Sequence, residues 1–316
     1  MLAVLESLLG FFQVVRQGAL GLYWLGEPHL NLLDATIAKT IVSGGGRLLR
    51  AYGTFPHPNV LAAFLLVGLI VLLSSRAPLF SRKERGVAIS SSVKKIASLA
   101  FGELAMTTGL FIIILGLTLT FSRFAWLVGG LIFLFWVFCH RHFKLSAIII
   151  VIIIVIVSIF SWAVFPKLTI RADEPAIVLR SKYLKIGWGI LKEKLLLGTG
   201  IGNQVDYAIK NNLYQKEGII KKLDYQPVHN IYLLIADELG VVGLILFLLL
   251  IFLTLKKTFP SCTIAQEGTV GLEFVSLIWL SLLLLGLTDH YLWDLADGQV
   301  MFWTVVFLSI NNSSRS

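Results

Sequence analysis

Long uninterrupted runs of apolar residues constrain this chain more than any other feature. The run over residues 147–165 (AIIIVIIIVIVSIFSWAVF) contains no charged residue, and comparable runs recur along most of the 316 residues. Only 14% of all residues are charged, whereas soluble proteins carry about 25%. Runs of this length suit the hydrocarbon core of a bilayer, where helices satisfy their own backbone groups. The sequence therefore predicts an all-α fold, a polytopic transmembrane helical bundle.

Apolar runs of sufficient length predict about eight membrane spans. They cover residues 2–18, 59–75, 96–119, 125–139, 147–165, 230–255, 270–288 and 300–310. Short loops at one end of these spans carry the cations Arg76, Arg82, Lys83, Arg85, Lys94, Lys95, Arg141, Lys144, Lys256 and Lys257. Cations of short loops stay on the cytoplasmic side, so residues 166–228 are predicted to form a large extracytoplasmic loop. The predicted location is the cytoplasmic (inner) membrane, with several polar segments facing outward.

The loop over residues 166–228 is basic, with eleven lysines and arginines against six aspartates and glutamates. Long loops escape the rule that keeps cations inside, so this excess is permitted. One interpretation is a solvated face attracted to anionic lipid headgroups. The other is a site for an anionic ligand, because guanidinium groups bind phosphate through two parallel hydrogen bonds. Residue composition alone leaves both interpretations open.

Local patterns predict some structure inside this loop. Residues 181–197 (SKYLKIGWGILKEKLLL) have apolar positions at helical spacing, which indicates an amphipathic helix lying on the membrane and ended by Gly198. Its predicted apolar face consists of Tyr183, Leu184, Gly187, Trp188, Leu191 and Leu195. The glycines of residues 198–203 do not have dinucleotide-binding spacing, and we interpret them as a turn that allows close backbone approach.

Six motifs in order resemble the O-antigen ligase and O-antigen polymerase superfamily. They are RAYGTFPHPN (50–59), TFSRFAW (120–126), LLLGTGIGN (195–203), HNIYL (229–233), ELGVVG (238–243), and DHYLW (289–293) with Gly298. The resemblance covers nearly the whole chain and implies one O-antigen ligase-like membrane domain over residues 1–316. Members of the family usually have ten to twelve spans, and this chain opens in what looks like the middle of that pattern.

The resemblance implies a membrane glycosyltransferase. Such an enzyme moves a glycan from an undecaprenyl-diphosphate carrier to an acceptor sugar hydroxyl on the outer face of the membrane. The expected partners are the carrier-linked donor, a glycan or glycolipid acceptor and the lipid bilayer, with no nucleic acid. We expect no cofactor and no metal, in keeping with the scattered acidic residues of the outer segments. A polysaccharide polymerase is the alternative within the family; a transporter or a non-catalytic envelope-assembly protein is the alternative outside it.

The resemblance also assigns roles to individual residues. His229 is the candidate base for the acceptor hydroxyl or a group that orients the diphosphate. Arg180 and Arg123 match family arginines that handle the diphosphate, and fixed cations act most where charge develops in the transition state. The candidate substrate-binding residues are Arg50, Asn230, Asp289 and His290.

An acidic pair, Asp237 and Glu238, lies within the predicted span over residues 230–255. Ionisable groups at membrane depth are costly unless they are paired or hydrated. This pair either lines a hydrated cavity or binds an arginine, and we favour the arginine partner.

Overall fold

The computed structural model describes residues 1–42, 45–74, 92–140, 147, 149–153, 155–156, 174–258 and 270–311. These residues are mostly helical, in agreement with the all-α prediction. By their internal packing they form two compact units, Met1–Leu168 and Thr169–Ser316. The single domain over residues 1–316 stays a prediction.

The first unit contains four helices and a hairpin that have defined bounds. These elements are α1 (Leu2–Arg16), β1 (Lys39–Ile41), β2 (Arg47–Leu49), α2 (Pro58–Ser74), α3 (Ser92–Leu119) and α4 (Arg123–His140). The antiparallel pairing of β1 with β2 sets Thr40 opposite Leu48. This hairpin is a small departure from a purely helical fold.

Small residues bring α1 close to its neighbours α2 and α3. A Cβ on Gly68 of α2 would overlap the side chain of Ala3, and one on Gly116 of α3 would overlap Ser7. Ala3 and Ser7 lie four residues apart, on one face of α1. Close backbone approach through small residues is a common way for helices to associate in membranes.

Glu6, the one carboxylate of α1, is bound by the segment that precedes α2. Its two carboxylate oxygens accept hydrogen bonds from the backbone N–H and the hydroxyl of Thr54, both at 2.9 Å. Further along α1, the buried Gln13 side chain donates to the Gly53 carbonyl oxygen and accepts from the Gly53 N–H, each at 2.8 Å. The polar residues of this otherwise apolar helix therefore hold the segment over residues 52–54 in place.

The second unit begins with a polar segment that folds into short helices and ends with long apolar ones. Its elements are α5 (Pro175–Glu193), α6 (Gln204–Lys210), α7 (Leu213–Lys216), α8 (Ile231–Thr258), α9 (Val270–Leu285), α10 (Tyr291–Asp294) and α11 (Ala296–Asn311). Helix α8 packs against α5, α9 and α11.

The amphipathic helix predicted over residues 181–197 is found with different bounds and a different face. Helix α5 runs from Pro175, a residue that favours the first helical turn, to Glu193. Its buried residues are Tyr183, Ile186, Gly187 and Ile190. Of the predicted face, Tyr183 and Gly187 are buried, whereas Leu184, Trp188 and Leu195 are exposed, because the buried side chains of α5 pack on Ala208, Tyr214 and Ile219 of its own loop.

The helical conformation of α8 is interrupted at Gly240, and the glycine turn over residues 198–203 forms hydrogen bonds with the interrupted segment. Gly240 has φ 70° and ψ −176°, a conformation essentially restricted to glycine. The interruption leaves backbone groups of α8 without helical hydrogen-bond partners, and backbone groups of the glycine turn take their place. Thr199 N–H donates to the Asp237 carbonyl and Gly200 N–H to the Glu238 carbonyl, each at 2.8 Å. In return Val241 N–H donates to the Leu195 carbonyl at 2.8 Å, so two separate motifs form one structural unit.

Among the described residues, α8 is the helix long and apolar enough to cross a membrane. Other predicted spans coincide with α1, α2, α3, α4, α9 and α11, and most of the span over residues 147–165 lies outside the described residues. The bundle of about eight spans and the outward orientation of residues 166–228 therefore stay predictions.

Candidate functional site

Two chain segments of the second unit meet at the beginning of α8. Asn230 caps the helix, because its side-chain oxygen accepts a hydrogen bond from the N–H of Leu233 at 2.9 Å. Its side-chain nitrogen donates to the Leu287 carbonyl at 3.1 Å, and the N–H of Ile231 donates to the Gly286 carbonyl at 2.8 Å. These bonds bring His229 next to the residues that follow α9. Asn230, a predicted substrate-binding residue, thus has a clear structural role.

His229 is partly buried between two rings. The Tyr183 ring of α5 stacks on it with centroids 5.3 Å apart, and His290 meets it edge to face at 4.7 Å. Burial lowers the pKa of His229 to about 4, so the imidazole is neutral at neutral pH. Its Nδ1 lies 3.1 Å from the Pro227 carbonyl oxygen, which can only accept. A neutral ring therefore carries its proton on Nδ1 and presents a lone pair at Nε2.

His290 has the opposite electrostatic environment. Burial alone would lower its pKa, but the hydrogen bond with Asp294 and the charges of Asp289 and Asp294 outweigh that effect and raise it. Nδ1 of His290 lies 2.7 and 2.9 Å from the two carboxylate oxygens of Asp294. Two neighbouring imidazoles therefore differ in protonation behaviour, one held neutral and the other favoured as a cation.

The side chain of Arg180, on α5, lies beside Asp289, the residue before His290. Its guanidinium lies 3.9 Å from Oδ2 of Asp289 and stays 39% exposed. Oδ1 of Asp289 accepts the backbone N–H of His290 at 2.9 Å. The structure thus groups Arg180, His229, Asp289 and His290, four residues selected from three distant parts of the sequence.

The other two predicted site residues, Arg50 and Arg123, belong to the first unit. Arg50 donates from Nε to the Thr120 carbonyl at 2.6 Å and from a terminal nitrogen to the side-chain oxygen of Asn59 at 2.7 Å. Thr120 lies in the turn between α3 and α4, and Arg123 is the first residue of α4. Arg50 therefore stabilises the turn that precedes Arg123.

The expectation that Asp237 and Glu238 bind an arginine was wrong for the described residues. Asp237 accepts a hydrogen bond from the side-chain nitrogen of Gln204 at 3.2 Å, and Glu238 accepts one from the Trp293 indole at 2.8 Å. Both acidic side chains are buried. Each acid therefore accepts one hydrogen bond from a neutral donor, Gln204 of α6 or Trp293 of α10, while Oδ1 of Asp237 is buried without a hydrogen-bond partner among the described residues.

The sequence analysis missed two members of the cluster, Tyr183 and Asp294. Tyr183 was assigned to an apolar helix face, yet its ring also forms one wall of the His229 site. Asp294 lies four residues after His290, a spacing that brings side chains together when the segment is helical. That spacing was a usable signal, although α10 is only one turn long.

His229, Asp289 and His290 are also a group that can hold a metal ion. One potential ligand atom from each lies within 4.8 Å of the others. The expected independence from metals stays a prediction.

These features define a mostly helical protein with a polar site at the beginning of a long apolar helix. Residues 108–248 match the family model described as O-antigen ligase. This range is a little under half of the chain, and the match confirms the resemblance to the O-antigen ligase superfamily. No curated protein and no solved structure matches the chain.

The match supports an O-antigen ligase or polymerase type of membrane enzyme, and the reaction and its substrates stay predictions. The matched range contains Arg123, Arg180, His229 and Asn230. Arg50, Asp289 and His290 lie outside it, so their assignment depends on the arrangement described above.

Proposed function

We propose that this protein transfers a glycan from an undecaprenyl-diphosphate carrier to a sugar hydroxyl of a glycan or glycolipid acceptor. The transfer takes place at the outer face of the inner membrane and requires no metal. The observation that carries the proposal is the lone pair at Nε2 of His229, fixed by the Nδ1 contact with Pro227 and placed beside the Arg180–Asp289 pair.

In the proposed reaction, Nε2 of His229 takes the proton from the acceptor hydroxyl as its oxygen attacks the anomeric carbon of the donor glycan. The bond between that carbon and the diphosphate oxygen breaks, and the lipid diphosphate leaves with the bonding electrons. Arg180 is positioned to stabilise the negative charge that develops on the leaving group. For Arg123, which belongs to the first unit, a role in handling the diphosphate stays a prediction.

Asp289 and His290 are proposed to orient the reacting groups. Asp289 lies within 4 Å of both Arg180 and the ring of His290, so its carboxylate limits the positions that these side chains adopt. The imidazolium form of His290, favoured by Asp294, adds a second cation near the diphosphate. We therefore expect the site to favour a doubly charged leaving group over a neutral one.

The direct test is a transfer assay with the full chain in lipid nanodiscs. The donor is a synthetic undecaprenyl-diphosphate oligosaccharide, and parallel reactions offer a glycolipid acceptor or a second carrier-linked unit. Transfer to the first supports a ligase and transfer to the second a polymerase. Activity is expected to persist in excess chelator. Activity that is lost in chelator and restored by a divalent ion would overturn the proposed independence from metals. Absence of transfer to either acceptor would contradict the proposed glycosyltransferase activity.

Arg180→Ala is expected to reduce transfer by roughly 10–100-fold, the effect of losing one charge-assisted contact with phosphate. Lys221→Ala is the matched control, because this exposed lysine of the same loop lies outside the cluster. We expect it to change the rate by less than about twofold. Initial rates at saturating acceptor provide the measurement. Equal losses from both changes would show that the loop acts only by general attraction of anions.

A further inference from the structure

His229, Asp289 and His290 have the composition of a three-residue metal site. Two imidazoles and one carboxylate, with a water in the fourth position, suit tetrahedral zinc. The ligand atoms of the three residues lie within 4.8 Å of one another. Imidazole ligands favour zinc and the neighbouring transition metals over Mg²⁺ or Ca²⁺.

In both histidines an outer partner holds Nδ1, which leaves Nε2 for coordination once His290 has released its Nε2 proton. The Nδ1 of His290 is held by both oxygens of Asp294, at 2.7 and 2.9 Å, and the Nδ1 of His229 by the Pro227 carbonyl at 3.1 Å. Metal-binding histidines usually donate their second ring N–H to a carboxylate or a backbone carbonyl, which fixes the tautomer and the ring. The cluster therefore has the outer partners as well as the ligands of such a site.

Coordination requires the ligand atoms to move closer together than they lie here. Nε2 of His290 lies 4.0 Å from Oδ1 of Asp289. Zinc bonds of about 2.0–2.2 Å place two ligands of a tetrahedral ion about 3.3 Å apart. Asp289 and His290 precede the one-turn helix α10, so side-chain rotation can supply this change. Arg180 faces the other oxygen of Asp289, Oδ2, and its charge opposes a cation, whereas Oδ1 accepts the backbone N–H of His290 and would bind the ion through a second lone pair.

We propose that His229, Asp289 and His290 bind a divalent transition metal ion of the zinc type, and that the bound ion inhibits glycan transfer. Coordination occupies the lone pair of Nε2 of His229, the atom proposed to accept the hydroxyl proton. The inhibition rests on the proposed function, whereas metal binding does not.

The binding test uses the purified full chain in detergent, stripped with chelator and titrated with Zn²⁺ by calorimetry. Visible absorption after titration with Co²⁺ reports tetrahedral coordination independently. We expect His290→Ala to remove one binding event and Asp294→Asn to weaken it by roughly 10–100-fold, as for other outer partners of metal ligands. His29→Ala is the control, since this exposed histidine belongs to the first unit.

Arg180→Ala separates metal binding from catalysis. The variant loses a positive charge beside Asp289 and is expected to bind Zn²⁺ at least as tightly as the wild type, while its transfer rate falls. In the wild type, micromolar Zn²⁺ should inhibit transfer, and chelator should restore it. A wild-type chain that transfers no glycan but binds Zn²⁺ through His290 would contradict the proposed function and leave the metal site standing.

Unchanged Zn²⁺ binding in a folded His290→Ala protein would overturn the site. His290→Gln keeps the size and polarity of the side chain and provides a second variant, with elution profile and melting temperature as checks of folding. Binding that depends on His290 without any inhibition of transfer would overturn the inhibitory role and remove His229 Nε2 from the reaction.

Discussion

Replacing His229 by glutamine is expected to lower the rate of glycan transfer by roughly 10²–10⁴-fold, the usual contribution of a positioned general base. Glutamine can still donate and accept hydrogen bonds, but it cannot take up a proton at neutral pH. Binding of the lipid-diphosphate carrier should remain almost unchanged, because proton transfer contributes only in the transition state. Single-turnover rates and carrier binding, measured on the same preparation, provide the comparison.

His29→Gln is the matched control for this change, since it makes the same substitution at an exposed histidine in the first unit. It should leave both the rate and the affinity unchanged. Near-normal transfer by His229→Gln would rule out the base and leave at most a role in orienting the diphosphate. Loss of transfer together with loss of carrier binding would make His229 a ligand contact.

The helices of this chain follow from its sequence because apolar length and helix formation are coupled in a membrane protein. An uninterrupted run of apolar residues predicts a helix whether or not its neighbours are known, and α1, α2 and α4 appear close to their predicted positions. The number of spans does not follow in the same way. Residues 2–18 contain Glu6 and Arg16, and the hydrogen bonds from Thr54 to Glu6 depend on a segment almost fifty residues away.

The residues of the site were selected by motif, but their contacts could not be derived from it. His229 lies beside His290 because Ile231 and Asn230 form hydrogen bonds with the backbone that follows α9. Such backbone bonds carry no side-chain signature in the sequence. Asp294 illustrates the same limit, since its importance depends on a single helical turn that places it under the ring of His290.

The wrong expectation for Asp237 and Glu238 has an instructive cause. Electrostatics favours an arginine partner for a buried carboxylate, yet a neutral donor supplies a hydrogen bond without burying a second charge. Gln204 and Trp293 provide those donors from opposite ends of the second unit's sequence. The acidic pair thereby connects α8 to the loop and to α10, next to the break at Gly240.

That break links two motifs that look unrelated in the sequence. The glycine turn beginning at Gly198 was expected only to allow close backbone approach, and its partner is now identified as residues 237–241 of α8. A Cβ on Gly198 would overlap the carbonyl of Glu238, and a Cβ on Gly240 would overlap the carbonyl oxygen of Leu196. Both positions have positive φ, so both steric space and backbone conformation require glycine. The crossing fixes the loop that carries α5, and with it Arg180, relative to the helix that follows His229.

Gly240→Ala is therefore expected to destabilise the protein strongly. A residue with a Cβ in this backbone region costs about 1–3 kcal/mol, and the overlap with Leu196 adds to that. The apparent melting temperature of the purified chain should fall by roughly 5–10 °C. Hydrogen exchange at the N–H groups of Thr199 and Gly200 should accelerate, since their acceptors belong to the broken helix.

The matched control for Gly240→Ala is Gly189→Ala, at a helical position of α5 where an added Cβ meets nothing within 4 Å. Alanine is favoured over glycine in a helix by about 1 kcal/mol, so this change should maintain or raise the melting temperature. The two substitutions are chemically identical and differ only in backbone conformation and available space. If Gly240→Ala left both the melting temperature and the exchange of Thr199 and Gly200 unchanged, the crossing would not hold the loop on α8. Arg180 would then need another means of staying beside Asp289.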